Sequence, residues 1–361
     1  DAGRNSDKGI GGGNGNGPAV VADFILHLQD QHQGQHQGNH RYRQRNGHIP
    51  SGFELELEKR LEEAVSQISG AGKTDITITL DSSKEYFYAK NSSENIEIVK
   101  KEDKPGIDIY VKSGTKKESV HIPVLLSKTG IKELVYNDFH IGEDCDITIV
   151  AGCGIHTENG EPARHNGIHR FFIGKNAKVL YQEKHIGTGA KNSQRSIDPV
   201  TEAFLEEGSY LEMDTSQLGG VDSTKRKTKV EVGKDATLII KEHLLTDNND
   251  VVETDFYVEM NGDDSSVNLI SRSVAKGNSK QTYRSNIVGN ARCTGHSECD
   301  AILADHGIVS ASPELTAANE NASLIHEAAI GKIAGEQLIK LMTLGLTEEE
   351  AEQWIINGFL K

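Results

Sequence analysis

IGEDCDITIV (residues 141–150) holds a turn, a small residue and a strand with apolar side chains at every second position. The same order returns in IGKNAKVLY (173–181), EEGSYLEM (206–213), VGKDATLII (232–240) and NGDDSSVNLI (261–270). The glycines that mark it, Gly142, Gly174, Gly208, Gly233 and Gly262, stand 32, 34, 25 and 29 residues apart. In this reading the glycine supplies the unusual φ/ψ of the turn, the small residue packs inside the corner, and the alternating strand buries one face. Such a unit cannot bury its apolar face alone, so copies must stack, and a solenoid built of strands is a β-helix. The rival is a sandwich of two antiparallel sheets. That arrangement favours short Asn-Gly hairpins, which the recurring turns lack.

Working outward, residues 1–48 are rich in Gly, Asn, Gln and His, and VVADFILHL (20–28) is their one apolar island. Little of this arm can be buried, so it is expected to be peripheral or disordered. Residues 49–105 begin with FELELEKRLEEAVSQI (53–68), whose spacing predicts a helix stopped at Gly70. Strand-like segments follow at TDITITL (74–80), EYFYAK (85–90), ENIEIV (94–99), GIDIYV (106–111) and SVHIPVLL (119–126). The β-helix core is expected over 106–322. Residues 323–361 end in a helical module. There GEQLIKLMTLG (335–345) sets Leu338, Leu341, Met342 and Leu344 at helical spacing, and Thr347 with Glu350 forms a capping box ahead of Trp354, Ile355 and Ile356.

Composition narrows the function. A formal charge of −15 and a pI near 5.5 argue against a nucleic acid or an anionic membrane as the main partner. Four cysteines in 361 residues are too few for a disulfide scaffold, and their clustering with histidines suits the reducing cytoplasm. No apolar run approaches the ~20 residues of a membrane span, and no signal-peptide core is seen, so a soluble chain is expected. There is no G-x-x-x-x-G-K-[ST] loop and no G-x-S-x-G elbow. The chain is therefore expected neither to bind nucleotide itself nor to be an enzyme.

The residues with the softest metal-binding chemistry are in CTGHSEC, where Cys293, His296 and Cys299 fall within seven residues. Thiolate and imidazole favour zinc, iron or an iron–sulfur cluster. On extended backbone the three do not share a face, so convergence needs a bend, for which Asn290 and Gly295 are the candidates. The competing reading is a pair of small cysteines buried in the β-helix. Cys153 and His156 form a second pair in AGCGIH (151–156), and Cys145 stands apart. His165, His169, His185 and Glu183 read as ordinary strand residues.

HEAAIGKIAGEQLIKLMTLGLTEEEAEQWIINGFLK (326–361) resembles the end of the SufB/SufD family of iron–sulfur cluster assembly proteins. VDSTKRKTKVEVGKDATL (221–238), SRSVAKG (271–277) and CTGHSECDAIL (293–303) extend the likeness to roughly residues 105–361. The resemblance implies a right-handed parallel β-helix flanked by helical segments, acting as a scaffold for transient iron–sulfur clusters that pass to acceptor proteins. It also implies a homodimer through the β-helix, as in short family members of anaerobes and archaea. The partner would be the ABC-type ATPase SufC, docked on about residues 334–352 with Glu336, Gln337, Leu338, Leu341 and Met342 in contact. SufB-type members carry an acceptor cysteine in a Cys-Gly-x-His-Thr run before a proline, where this chain reads GIVSASP (307–313), although His326 and Glu327 keep the SufB-like His-Glu. The thiolates would then come from Cys293 and Cys299, with His296, His326, Glu327, Cys153 and His156 as further ligands. Two alternatives remain open: a SufC-binding partner that holds no cluster, and a β-helix enzyme.

Overall fold

The computed structural model describes residues 19–21, 25–26, 79–81, 86–88, 93–126, 130–157, 160–190 and 192–360. The helix expected over 53–68 and the histidines of the N-terminal arm lie outside them. Within them the chain winds as a parallel β-helix of about eight turns. One wall contains β1 (Ala19–Val21) and β2 (Ile25–Leu26), both paired with β7 (Lys116–Leu126). It continues with β9 (Asp146–Thr157), β11 (Lys178–Gly189), β14 (Tyr210–Leu218), β16 (Thr237–Thr246), β18 (Ser265–Ala275), β20 (Cys293–Leu303) and β22 (Ser323–Lys332). The facing wall runs from β5 (Ile96–Lys100) and β6 (Gly106–Val111) through β8 (Lys132–Ile141) and β10 (Ala163–Ile173). Beyond these come β12 (Arg195–Ile197) with β13 (Val200–Leu205), β15 (Ser223–Val232), β17 (Val251–Met260), β19 (Lys280–Gly289) and β21 (Ile308–Ala317). A separate hairpin joins β3 (Thr79–Asp81) to β4 (Tyr86–Tyr88). Every pairing from β6 onward is parallel, which excludes the antiparallel sandwich; β5 caps the first turn by pairing antiparallel to β6.

The repeat forms the corner that leads from the second wall back to the first. Its small residue is buried in every turn: Cys145, Ala177, Ser209, Ala236 and Ser265 are at most 2% exposed. Its glycine has a different role from the one expected. The left-handed residue is two positions on, at Asp144, Asn176, Asp235 and Asp264, with φ between 55° and 60°. Asp and Asn tolerate that region better than other non-glycine residues. Gly142, Gly233 and Gly262 are needed for close packing of turn on turn: a Cβ there would come within 2.5 Å of Ser113 N, 2.5 Å of Leu205 O and 1.9 Å of Lys234 N. In EEGSYLEM the glycine, Gly208, is itself the left-handed residue (φ 69°), so the marker slips by two positions and makes the spacing look irregular.

Most central strands alternate between buried and outward positions, as in β16 and β17. Parallel register stacks equivalent positions into columns, and the columns divide the interior lengthwise. Next to the short corner it is apolar, with Phe139 stacked on Phe171 at 4.4 Å and with Ile149, Tyr181, Met213, Ile240 and Leu269 in one file. Toward the other corner the same inward parity carries His165, Glu183, His185, Arg226 and Glu242, all nearly inaccessible.

The chain closes with α1 (Gly335–Met342) and α2 (Glu348–Phe359). Thr347 and Glu350 form the expected capping box. Ala351 and Ile356 pack inward, and Lys276 ties α2 to the β-helix through Glu352 at 2.9 Å.

Candidate functional site

The expected CTGHSEC site does not converge. β20 is a straight strand paired in unbroken register with β18 and β22. Cys293 and Cys299 both point inward, six residues and roughly 20 Å apart. His296 points outward, where Nδ1 lies 3.1 Å from Asn268 Oδ1. Gly295 introduces no bend; it faces the core, where a Cβ would come within 2.7 Å of Leu324 Cδ2. Register also explains the two thiols. Cys293 continues the corner column of Ser265, and Cys299 lies in file with Ser271, Glu242 and Glu183. Burial pushes the Cys293 thiol up and drives that of Cys299 to about 12. Cys145, also a corner residue, is raised by burial as well.

His326 and Glu327 lie on β22, the last strand of the first wall. Glu327 faces solvent with its Oε2 3.8 Å from His296 Nε2, and His326 Nδ1 is buried without a hydrogen-bond partner among the described residues. His156 is on the outer face of β9 against Thr188 Oγ1 at 2.9 Å, turned away from Cys153.

The groups that do converge surround Cys153, and sequence reading passed over most of them. Parallel register stacks Cys153 of β9 beside His185 of β11 and Gln217 of β14. Glu183, one inward position before His185, brings its carboxylate alongside. Cys153, Glu183 and His185 offer three ligand atoms all within 4.8 Å of one another, and all three residues are buried. From the opposite wall, His165 reaches the thiol with one nitrogen and binds Glu133 Oε2 through Nδ1 at 2.6 Å.

Each group is held by a neighbour. His185 Nδ1 donates to Gln217 Oε1 at 3.3 Å, and that oxygen also accepts from Thr224 Oγ1 at 3.0 Å. Glu183 Oε2 accepts from Arg226 Nη1 at 3.1 Å, and its Oε1 accepts from the Tyr181 hydroxyl at 3.0 Å. Arg226 also lies 3.3 Å from Glu242, whose carboxylate accepts from Thr254 and Ser271 at 2.8 and 3.0 Å.

The electrostatics set Cys153 apart from the other three cysteines. Burial alone would raise its thiol, but His165 and then His185 overcome that and bring it down to about 7. Burial opposes charge on the imidazoles too, yet the thiolate and Glu133 carry His165 up to about 10, while Glu183 and the thiolate carry His185 to about 9. Burial likewise works against the Glu183 carboxylate, but His185 and Arg226 hold it well below the usual range. The two imidazoles thus favour the thiolate form of Cys153 inside the β-helix. Over its backbone, on the outer face, lies a cavity of about 340 Å³ lined by His121, Val150, Gly152, Lys184 and Ile186, among others. A Cβ added at Gly152 would meet nothing within 4 Å among the described residues. A second acid–histidine group, Asp108, Asp138 and His140, is already neutralised by Lys101 and Arg170.

The family model for the SUF system FeS cluster assembly SufBD core domain matches residues 135–359, the greater part of the chain. The chain belongs to the SufBD family. Curated proteins named as iron–sulfur cluster assembly SufBD family proteins are its relatives. One from Archaeoglobus fulgidus is 32% identical over 77% of this chain and 75% of its own. One from Methanocaldococcus jannaschii is 30% identical over 70% and 79%. One from Methanothermobacter thermautotrophicus is 28% identical over 64% and 56%. A model of the SpoIIIAG C-terminal domain also matches residues 53–136, largely ahead of the β-helix. Among the described residues no helix is long and apolar enough to cross a membrane.

Proposed function

We propose that this SufBD protein is a non-enzymatic cytoplasmic scaffold on which iron and sulfide are assembled into clusters and handed to acceptor proteins. The observation that carries the reading is the Cys153 thiol, held at about 7 between two imidazoles and beside a carboxylate. Soft thiolate donors hold iron and bridging sulfide, and a site with few thiolates releases its cargo more readily than a closed cage of four. On this reading Cys153 takes the leading role expected of Cys293 and Cys299, whose thiols lie apart and in the core.

Two further surfaces support the assembly implied by the family. Among the described residues the second wall ends at β21 and the first at β22, neither with a further strand on its outer edge. Ile308, Ile325 and Ile330 stand exposed on these last strands. A free strand edge flanked by apolar side chains invites pairing with another chain, which fits a homodimer through the β-helix. The C-terminal module exposes Ile339, Met342, Leu344 and Trp354, with Glu336 and Gln337 on the same short helix and Leu338 and Leu341 partly covered. A patch of that kind on a two-helix module suits docking of the ABC-type ATPase SufC. Co-expression with a SufC-type ATPase tests this: the two proteins should co-purify, and Ile339→Glu with Leu344→Glu should abolish co-purification without lowering the melting temperature. Retention of the ATPase by that double variant would refute the docking surface.

A further inference from the structure

We infer that Cys153, Glu183 and His185 form a built site for a single divalent transition-metal ion of the iron(II) or zinc type, inside the β-helix. The inference rests on the scaffold reading and names the first cargo of that site, a metal ion captured before any sulfide is present.

The geometry carries it in three ways. First, the donor set is mixed and borderline-soft: one thiolate sulfur, one imidazole nitrogen and one carboxylate oxygen, which matches zinc and iron(II) better than magnesium or calcium. Donor atoms around a tetrahedral ion with bonds of about 2.0–2.3 Å stand roughly 3–4 Å apart. His185 Nε2 and Glu183 Oε1 are already 3.4 Å apart, and all three donors lie within 4.8 Å, so closure needs movement on the order of an ångström.

Second, the donors are oriented from behind, as metal ligands are. Gln217 takes the Nδ1 hydrogen of His185, which leaves Nε2 as the coordinating nitrogen. Arg226 grips one oxygen of Glu183 and Tyr181 donates to the other. His185 is 1% exposed, and its Nε2 lies 3.4 Å from Glu183 Oε1 and also faces the Cys153 thiol, so one nitrogen reaches both other donors.

Third, the site has a vacant side. Three protein donors leave the fourth tetrahedral position for His165, whose far nitrogen is fixed by Glu133, or for an incoming sulfide.

Cobalt(II) is the probe, because a thiolate-bound tetrahedral ion shows intense visible ligand-field bands and a near-ultraviolet sulfur-to-metal band. Anaerobic titration of the full chain should saturate at one cobalt per chain with both signatures. Cys153→Ser should lose the sulfur band, His185→Gln and Glu183→Gln should weaken binding at least tenfold, and Gln217→Leu should weaken it roughly 10- to 100-fold through loss of orientation. Cys293→Ser and Cys299→Ser should leave the spectrum unchanged. Circular dichroism on each variant confirms folding. If Cys153→Ser fails to fold, the orientation variant Gln217→Leu decides. The inference is overturned if the wild-type chain shows no stoichiometric sulfur band, or if that band survives in Cys153→Ser or stays unweakened in Gln217→Leu. Cluster formation by the wild-type chain with iron and sulfide is a separate readout, so a scaffold without this ion site and an ion site without a scaffold give different results.

Discussion

Arg226 is the residue on which the polar interior depends. Its side chain is 4% exposed and lies within 3.3 Å of two carboxylates, Glu183 and Glu242, which are themselves at most 3% exposed. Arg226→Met keeps the length and the apolar stem but removes the charge, leaving two buried acids facing each other. Removing one partner of a buried pair costs about 3–5 kcal/mol, because the remaining charge has lost its compensation. The pH dependence fixes the sign. Glu183 is held well below its ordinary value by His185 and Arg226, so its pairing stabilises the wild type above the unfolded carboxylate pKa and is lost as pH falls through the folded one. Glu242 is already raised by burial in the wild type, and without Arg226 both acids shift further up, so they take up protons on folding and the deficit should shrink as pH drops from 7 toward 5. Urea midpoints followed by circular dichroism at both pH values measure this. The triple change Arg226→Met, Glu183→Gln, Glu242→Gln should recover much of the loss, since neutral groups of similar shape replace a buried ionic set at little net cost. A single variant within about 1 kcal/mol of wild type at pH 7, or one whose deficit grows at pH 5, would refute the reasoning.

Other outcomes follow from particular residues. Asp250, buried at the far corner and beside Asp222 and Asp247, is raised to about 6, so stability should fall as pH climbs from 4 to 6. Asp250→Asn, melted at pH 4.5 and 7.5, should flatten that slope and gain on the order of 1–3 kcal/mol at the higher pH. Gly262→Ala drives a Cβ to 1.9 Å from Lys234 N and should cost at least about 1–3 kcal/mol, whereas Gly152→Ala meets nothing within 4 Å and should leave the urea midpoint unmoved. Thr347→Ala removes the acceptor for Glu350 N and should destabilise α2 by about 1 kcal/mol, seen as faster amide exchange in its first turn.

The β-helix was legible because its two constraints are local: a small residue at each corner and alternation along each strand. The corner glycine was assigned the wrong task because sequence shows that a side chain is missing but not what would strike it. At Gly262 the obstacle is the backbone of the preceding turn. CTGHSEC is compact in sequence, but the strand places its thiols at separate inward positions and its histidine outside, which spacing alone does not show. The signal for the Cys153 group was present in KVLYQEKHIG (178–187), where Val179 and Tyr181 set the inward parity and Glu183 and His185 continue it. STKRKTKVEV (223–232) carries the same signal, with Arg226 on the parity of Val230 and Val232. Charged residues at core positions are rare unless paired. Their convergence on Cys153 could not be read without the register, because the partners come from turns about thirty residues apart, on both walls.

The central claim is that Cys153 is the thiolate on which clusters form. Anaerobic reconstitution of the purified chain with ferrous iron and sulfide, followed by iron and acid-labile sulfide analysis and visible absorption, tests it most directly. A cluster is expected on the wild-type chain, with its loss in Cys153→Ser and its retention in the Cys293→Ser, Cys299→Ser double variant. A full complement of cluster on Cys153→Ser, with loss in the double variant, would contradict it.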